Sequence, residues 1–473
     1  MARAGLRTTR PASTGPEAGR PGGRAAIRAG GRALIWSGAA FALALTAYLT
    51  DVATHPLRFT FRFFDLFIYN HAGELVRHAP ATLYTWHFMI DVQYLYTPFA
   101  ALGFAAGSLL PWPVLTWLMA AASFAAVPLT LWVTFGQLGW APLRRWAGVL
   151  AVGAVSIWTV PVLISMQQGQ IELVLMALIA WDLCQSDRRR WKGAGVGVAA
   201  GIKLVPMIFI LYLVLAGKLR QAAVAAAALA GTVLIGFAAL PQESASWWLT
   251  GYFLHTGDRT RLELGSLVNQ SLLALVTRTP AGATSATALW LAAAAVAGGL
   301  GLAAAAVLHR SGRPTAGWVT CAVTGVLVSP ISWDDHWVWV VPLLAVLVDT
   351  ALRARGPARL GCWLLAAGLA AVFVAWPVQA TGPRAFLPYG LVGFGSGSHP
   401  MTEIFRLHGL QLISWNLFVL AGLVMLAVLL AWAARTWRGR TRRGYRSGAG
   451  VAPCSSASNG SAKVSKTSVA GTG

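Results

Sequence analysis

The chain has 473 residues, of which 56% are hydrophobic and 11% charged, against roughly 25% charged in an ordinary soluble domain. That composition excludes a soluble globular protein, and apolar runs of about 20 residues, each enough to cross a hydrocarbon core of about 30 Å, recur from Ala33 to Trp432. The formal charge of +22 is not the mark of a nucleic-acid face, because most of the arginines sit in two tails and in short loops between apolar runs, which is how membrane proteins encode orientation. Cys184, Cys321, Cys362 and Cys454 are far apart and form no CxxC pair, so neither a disulfide framework nor a metal site is expected.

Residues 1–32 carry seven arginines among Gly, Ala and Pro and show no apolar periodicity, which predicts a disordered basic cytoplasmic tail. Residues 33–434 read as one transmembrane domain, and residues 435–473, basic and then rich in Ser and Gly, as a second disordered cytoplasmic tail. Placing both tails in the cytoplasm and requiring the internal basic clusters to join them predicts twelve crossings: 33–50, 112–135, 146–165, 170–186, 191–203, 206–217, 221–240, 286–308, 315–331, 335–352, 360–378 and 411–434. With these spans, 28 of the 37 Lys and Arg fall inside and 11 of the 15 acids outside. The fold class is therefore all-α and polytopic, with about 12 transmembrane helices. Tyr94–Leu110 must then be re-entrant or interfacial, and 191–203 and 206–217 form a short broken hairpin that lowers Lys203 into a cavity.

The outer segments hold most of the candidate chemistry. Asp65 lies in RFTFRFFDLFIYNHAGELV among Phe61, Phe63, Phe64, Phe67 and Ile68; a carboxylate in that setting is costly unless paired or used. It reads either as a general base or as the partner of Arg62 or Arg58, while Glu74 and Asp91 read as solvated loop charges. Lys203 in GIKLVP is an ammonium in an otherwise uncharged stretch, suited to an anionic group such as a lipid phosphate, with snorkelling as the plain alternative. Arg259 and Arg261 are further candidates for that phosphate, although Asp258 and Glu263 can neutralise them locally. Asn269 and Gln270 follow as candidate hydroxyl ligands, and Trp247 and Trp248 as interfacial anchors or sugar-stacking faces.

In SPISWDDHW, Asp334 and Asp335 can be explained by helix capping, whereas His336 adds a titratable donor that capping does not require. No second His or Cys stands at ligand spacing, so no metal is expected there. Gln170 and Glu172 in QQGQIELVL begin a helix from the outer face and suit either a sugar or ordinary end-of-helix solvation.

In this order the motifs resemble those of the polyprenol-phosphate-mannose-dependent alpha-1,2-mannosyltransferases of actinobacteria, in the GT-C superfamily of membrane glycosyltransferases. The resemblance rests on Asp65 soon after the first helix, Tyr96-x-Pro98, Gly169–Gln170, AAGIKLVP at 199–206, NQSL at 269–272 and SPISW at 329–333. The chain departs from that pattern at Thr97, where the family has a second Pro, at Glu172, where it often has Asn, and at Asp335, where it has His. The resemblance implies a donor of mannose on polyprenyl phosphate and a glycolipid or glycan acceptor. It also implies an extracytoplasmic site, inversion at the anomeric carbon, and Asp65 as the base. Lys203, His336 and one of Arg259 or Arg261 would then face the donor phosphate, with Gln170, Asn269, Gln270, Asp334 and Asp335 left for sugar and acceptor, and no cofactor. A GT-C enzyme using arabinose or glucose, or a lipid or sugar transporter, remains open from the residues alone.

Overall fold

The computed structural model describes residues 21–54, 63–87, 93–255, 264–279, 282–376, 390–393, 407 and 409–448. Its helices are, in order, α1 (Pro21–Thr54), α2 (Phe64–His78), α3 (Pro98–Gly107), α4 (Trp112–Gln137), α5 (Pro142–Ser156), α6 (Val160–Gln168), α7 (Glu172–Leu183), α8 (Ala194–Ile202), α9 (Ile208–Leu215) and α10 (Leu219–Ala239). There follow α11 (Pro241–Ser244), α12 (Tyr252–His255), α13 (Leu272–Thr277), α14 (Gly282–Arg310), α15 (Pro314–Val328), α16 (Val340–Arg353), α17 (Pro357–Phe373), α18 (Gly409–Trp415) and α19 (Leu417–Gly448). Among the described residues there is no strand, only isolated bridges between Thr159 and Val374 and between Asn269 and Trp333.

Each apolar run of the sequence is helical, at least in part. Among the described residues six segments are by themselves long and apolar enough to cross a membrane, or seven if α6 and α7, bent by 116° at their junction, form one broken span. The run 146–165 is not one helix: α5 ends at Ser156 and α6 begins at Val160, just before Pro161. At the N-terminus, α1 begins at Pro21, inside the stretch whose composition suggested disorder, and α19 continues to Gly448, past residue 434.

The short helices α7 and α8 join the basic loops to a polar cluster. At one end, Asp182 of α7 accepts the Gly193 and Val196 amides that open α8, at 2.9 and 3.0 Å. Asp187 pairs with Lys192 at 2.8 Å and with Lys218, which precedes α10, at 2.7 Å. Burial would raise the Asp187 carboxyl, but the two lysines overcome it and hold it down at about 2. Gln137 at the end of α4 accepts from Thr315 and Trp318 of α15, and Asp349 of α16 accepts from Trp140 and Arg353.

From that end α7 runs back 12 residues to Glu172, and α15 runs 15 residues toward Ser329. At 1.5 Å per residue these are roughly 18 and 22 Å. Both lengths are less than a hydrocarbon thickness of about 30 Å, and Glu172, Lys203, Ser332 and His336 gather at the ends away from the basic loops.

Two glycines allow the outer elements to close on this bundle. Gly73 of α2 lies against the Phe104 carbonyl and the Ala105 amide of α3, where a Cβ would strike backbone. Gly169 ends α6 with φ +68, and a Cβ there would stand 2.8 Å from the Leu66 and Phe63 side chains. The left-handed turn at Gly169 bends α6 into α7, and the Phe63 amide donates to the Gln167 carbonyl at 2.7 Å to anchor the start of α2 alongside.

Gly169→Ala is expected to lose about 2–4 kcal/mol of stability, because left-handed backbone and steric contact both oppose it. Gly139→Ala, also at positive φ but with nothing within 4 Å, should lose about 1 kcal/mol. Parallel thermal unfolding in detergent compares them, and equal losses would show that the contact with α2 contributes nothing.

Candidate active site

Asp65 stands in the first turn of α2. The residue is partly exposed, but its Oδ2 is covered and has no hydrogen-bond partner. Burial and then the charge of Asp335 push the carboxyl up to about 8, against the pull of Lys203 and a hydrogen bond from Gln170. One turn on, and so on the same helix face, the Tyr69 hydroxyl donates to Gln170 Oε1 at 2.7 Å and lies 2.7 Å from the Tyr96 hydroxyl. Gln170 is thereby fixed with its carbonyl on the tyrosines and its amide toward Asp65. Gly169 supplies the turn that brings it there.

Lys203 occupies the residue after α8, where the backbone turns extended at φ −136 and ψ 134. Thr97 stabilises this break by capping α3 through the Ala100 amide at 3.1 Å and donating to the Gly201 carbonyl at 2.5 Å. The ammonium lies 2.9 Å from His336 Nε2, makes an ion pair with Glu172 Oε1, and sits 5.3 Å from the centre of the Tyr96 ring. His336 Nε2 is 3.4 Å from Glu172 Oε1 and 3.9 Å from Asp335 Oδ2. Because an ammonium only donates, Nε2 accepts here and the ring proton belongs on Nδ1. Two of the three departures from the motif pattern, Glu172 and Asp335, therefore meet at Lys203.

The cluster opens onto a cavity lined by Glu172, Lys203, Pro206, Ser332, His336 and Trp339, with Leu175, Phe209 and Val326 on its apolar side. Asp334 and Asp335 head the 3-10 turn Asp334–Trp339 and are both buried, each with an unpartnered Oδ2. Asp334 Oδ1 accepts the Asp335 amide at 3.1 Å.

The remaining candidates are placed differently. Arg259, Arg261 and Asp91 lie outside the described residues. Glu74 accepts from Asn70 at 3.0 Å and stands 3.3 Å from His71, away from the cluster. Trp247 is not a surface anchor: it is 2% exposed and packs against Tyr84, Tyr252 and Phe253. The amides of Asn269 and Gln270 are taken up by backbone. Asn269 donates to Leu264 and Pro330 carbonyls at 2.9 and 3.3 Å and accepts the Ser332 amide at 3.0 Å. Gln270 donates to Leu267 and Trp415 carbonyls and accepts the Phe418 amide.

Arg278, which no spacing argument selected, binds these segments together. It is fully buried and donates to the carbonyls of Gly265, Ser266, Asn269 and Trp415 and to Asn416 Oδ1. No carboxylate pairs with it among the described residues. The signal that was available in the sequence is a lone arginine on the side that the charge pattern leaves poor in basic residues. Through Asn269 it fixes the 330–332 segment, and so the turn that carries Asp335 and His336.

Arg278→Lys keeps the charge but loses the planar five-donor fork, leaving at least two buried acceptors unpaired; a loss of about 2–4 kcal/mol is expected. Chemical denaturation in detergent measures it, and wild-type stability would show that the carbonyls find other donors.

The model of glycosyltransferase family 87 matches residues 94–330. The chain is 33% identical over 309 residues, 61% of its own length and 68% of the relative's, to a polyprenol-phosphate-mannose-dependent alpha-(1-2)-phosphatidylinositol mannoside mannosyltransferase of Mycobacterium tuberculosis. It is 30% identical over 309 residues, 64% of this chain and 70% of the relative, to a second protein of that species named as acting on phosphatidylinositol pentamannoside. A pentamannoside mannosyltransferase of Mycolicibacterium smegmatis is 30% identical over 315 residues, 64% of this chain and 73% of the relative. No solved structure matches the chain. The family match covers half of the sequence, includes Tyr96, Gln170, Glu172 and Lys203, and agrees with the helical membrane architecture: the chain belongs to glycosyltransferase family 87.

Proposed function

We propose that this enzyme moves mannose from polyprenyl phosphate to a hydroxyl of a phosphatidylinositol-mannoside-type glycolipid, forming an alpha-1,2 linkage with inversion. The names of its relatives supply the donor and acceptor classes. The observation that carries the reading is the carboxylate of Asp65, its Oδ2 covered and unpartnered, placed within the electrostatic reach of the partly buried cation Lys203.

The acceptor hydroxyl would give its proton to Asp65 as its oxygen attacks the anomeric carbon, while the bond from that carbon to the phosphate oxygen breaks and polyprenyl phosphate leaves. Lys203 offsets the charge that develops on the leaving phosphate, and in a cavity that excludes water this is worth more than at a surface. Arg259 or Arg261 would reach the same phosphate from the second outer loop. Gln170 orients Asp65, and the buried Asp334 and Asp335 border the sugar.

The basic loops gathered at the opposite end of the short helices favour the extracytoplasmic face for this chemistry, with both termini in the cytoplasm. Twelve crossings would follow if, beside the six long spans, the pair α5–α6 and the short helices α7, α8, α9, α15 and α17 each traverse thinned regions of the bilayer. The depth of the cluster suits a donor whose lipid chain never leaves the membrane.

Asp65→Asn should abolish transfer of labelled mannose from polyprenyl phosphate while the protein elutes and unfolds like wild type; turnover above a few per cent would remove Asp65 from the role of base.

Because the raised carboxyl is protonated below about 8, kcat/KM should fall about tenfold per pH unit below that value and level off above it. Lys203 lowers the Asp65 carboxyl, so Lys203→Met should carry this limb to higher pH in whatever activity remains. A pH profile without that limb would place the titrating base elsewhere.

A further inference from the structure

Glu172, Asp335 and His336 bring one carboxylate oxygen each from the two acids and an imidazole nitrogen within 4.8 Å of one another. Two carboxylates and an imidazole converging at that range are a ligand set suited to a divalent cation such as Mn2+ or Zn2+. They come from different elements, the start of α7 and the 3-10 turn before α16, and so form no sequence motif. Asp335 is 2% exposed, and its Oδ2, 3.9 Å from His336 Nε2, has no hydrogen-bond partner. A desolvated carboxylate oxygen in that state needs positive charge.

The space among these donors already holds a cation. Lys203 Nζ touches Glu172 Oε1 and lies 2.9 Å from His336 Nε2. The ammonium therefore contacts two of the three donors. We propose that Lys203 is the resident cation of a divalent-metal-type site: its ammonium takes the metal's place among Glu172, Asp335 and His336, so that transfer runs without a metal and removal of the ammonium opens a divalent-cation site.

The physical grounds are charge and tethering. Two carboxylates held together out of water repel one another unless a cation lies near both. A lysine on a covalent stem supplies that cation at every ion concentration, as a compact point charge with three donors. It would present the donor phosphate with one fixed positive charge where a divalent metal would present two. The inference rests on the proposed function only in taking sugar transfer as the activity assayed; metal binding is read separately.

The test is Mn2+ titration followed by electron paramagnetic resonance on the purified full-length protein, stripped with chelator, as wild type, Lys203→Met and Lys203→Met/His336→Ala. The wild type is expected to show no stoichiometric Mn2+ and to transfer at the same rate with and without chelator. Lys203→Met should bind one Mn2+, and the added His336→Ala should weaken that binding by roughly tenfold or more. One Mn2+ bound tightly by the wild type, or transfer lost with chelator and restored by Mn2+, would overturn the proposal and make the triad a true metal centre. A folded Lys203→Met that binds no Mn2+ would overturn it from the other side, and Lys203→Ala supplies the same reading should the Met variant fail to fold. Failure of mannose transfer with Mn2+ binding as expected would reject the substrate reading and leave the resident-cation reading standing.

Discussion

One partly buried ammonium, that of Lys203, organises the polar cluster of this molecule. Lys203 contacts Glu172 and His336 and lowers the carboxyl of Asp65, so three elements remote in sequence are oriented by one charge. Taking a cation out of water costs less with an anion beside it, and the carboxylates of Glu172 and Asp335 in turn cost less to hold with the cation near them. The break in helical backbone at Lys203 belongs to the same arrangement. A straight helix through residues 199–209 would leave its side chain on a packed flank. Ending α8 at Ile202 puts it instead at the mouth of a cavity, and Thr97 satisfies the Gly201 carbonyl that the break exposes.

Non-helical backbone at membrane depth has to be satisfied by protein, and this explains where much of the polar sequence goes. Asn269 and Gln270 look like ligands in a sequence because they are polar residues next to an apolar run. In the structure they serve as substitutes for water. The Ser271 hydroxyl donates to the Pro330 carbonyl at 2.9 Å, and the Gln270 amide donates to the Ser332 carbonyl at 2.7 Å. The segment 329–333 is held as an irregular strap whose end aims His336 at Lys203. Two motifs far apart in the chain, NQSL and SPISW, are thus one structural unit.

The sequence made the helical class and the direction of charge legible, because both follow from local composition: apolar runs recur, and Arg188, Lys192, Lys218, Arg310 and Arg353 lie between them. The extent of the helices was less legible. Pro161 and Pro206, a bend at Gly169 and an irregular stretch at 329–333 cut runs of even hydropathy into short pieces, and hydropathy alone does not register a broken ladder of hydrogen bonds. Asp65, Lys203 and His336 stood out as charges out of place. Their grouping with Glu172 and Asp335 did not, since Glu172 is also an ordinary first-turn residue and Asp335 an ordinary helix-start acid. Tyr69 was hidden for the opposite reason: a tyrosine on an aromatic helix reads as packing until the Gln170 that it holds is known.

The raised carboxyl of Asp65 carries a balance that favours the role of base. Moving a carboxyl from 3.8 to about 8 raises its proton affinity by about four orders of magnitude, and if roughly half of that appears in the transition state the ionised form gains about a hundredfold as a base. At pH 7 the protonated form then predominates, and the smaller ionised fraction offsets part of that gain. Burial alone would carry the carboxyl further and leave too few ionised molecules; Lys203 and Gln170 oppose it. The same groups act on entry of the donor. A neutral Asp65 spares the incoming phosphate one repulsive charge, and the ionised form is needed only once the acceptor hydroxyl lies against it. If Asp65 is the base, as proposed, the cluster around Lys203 sets both how strong that base is and how anionic the cavity is when an anionic lipid enters it, and one carboxyl meets both demands only when its proton is held close to neutral pH.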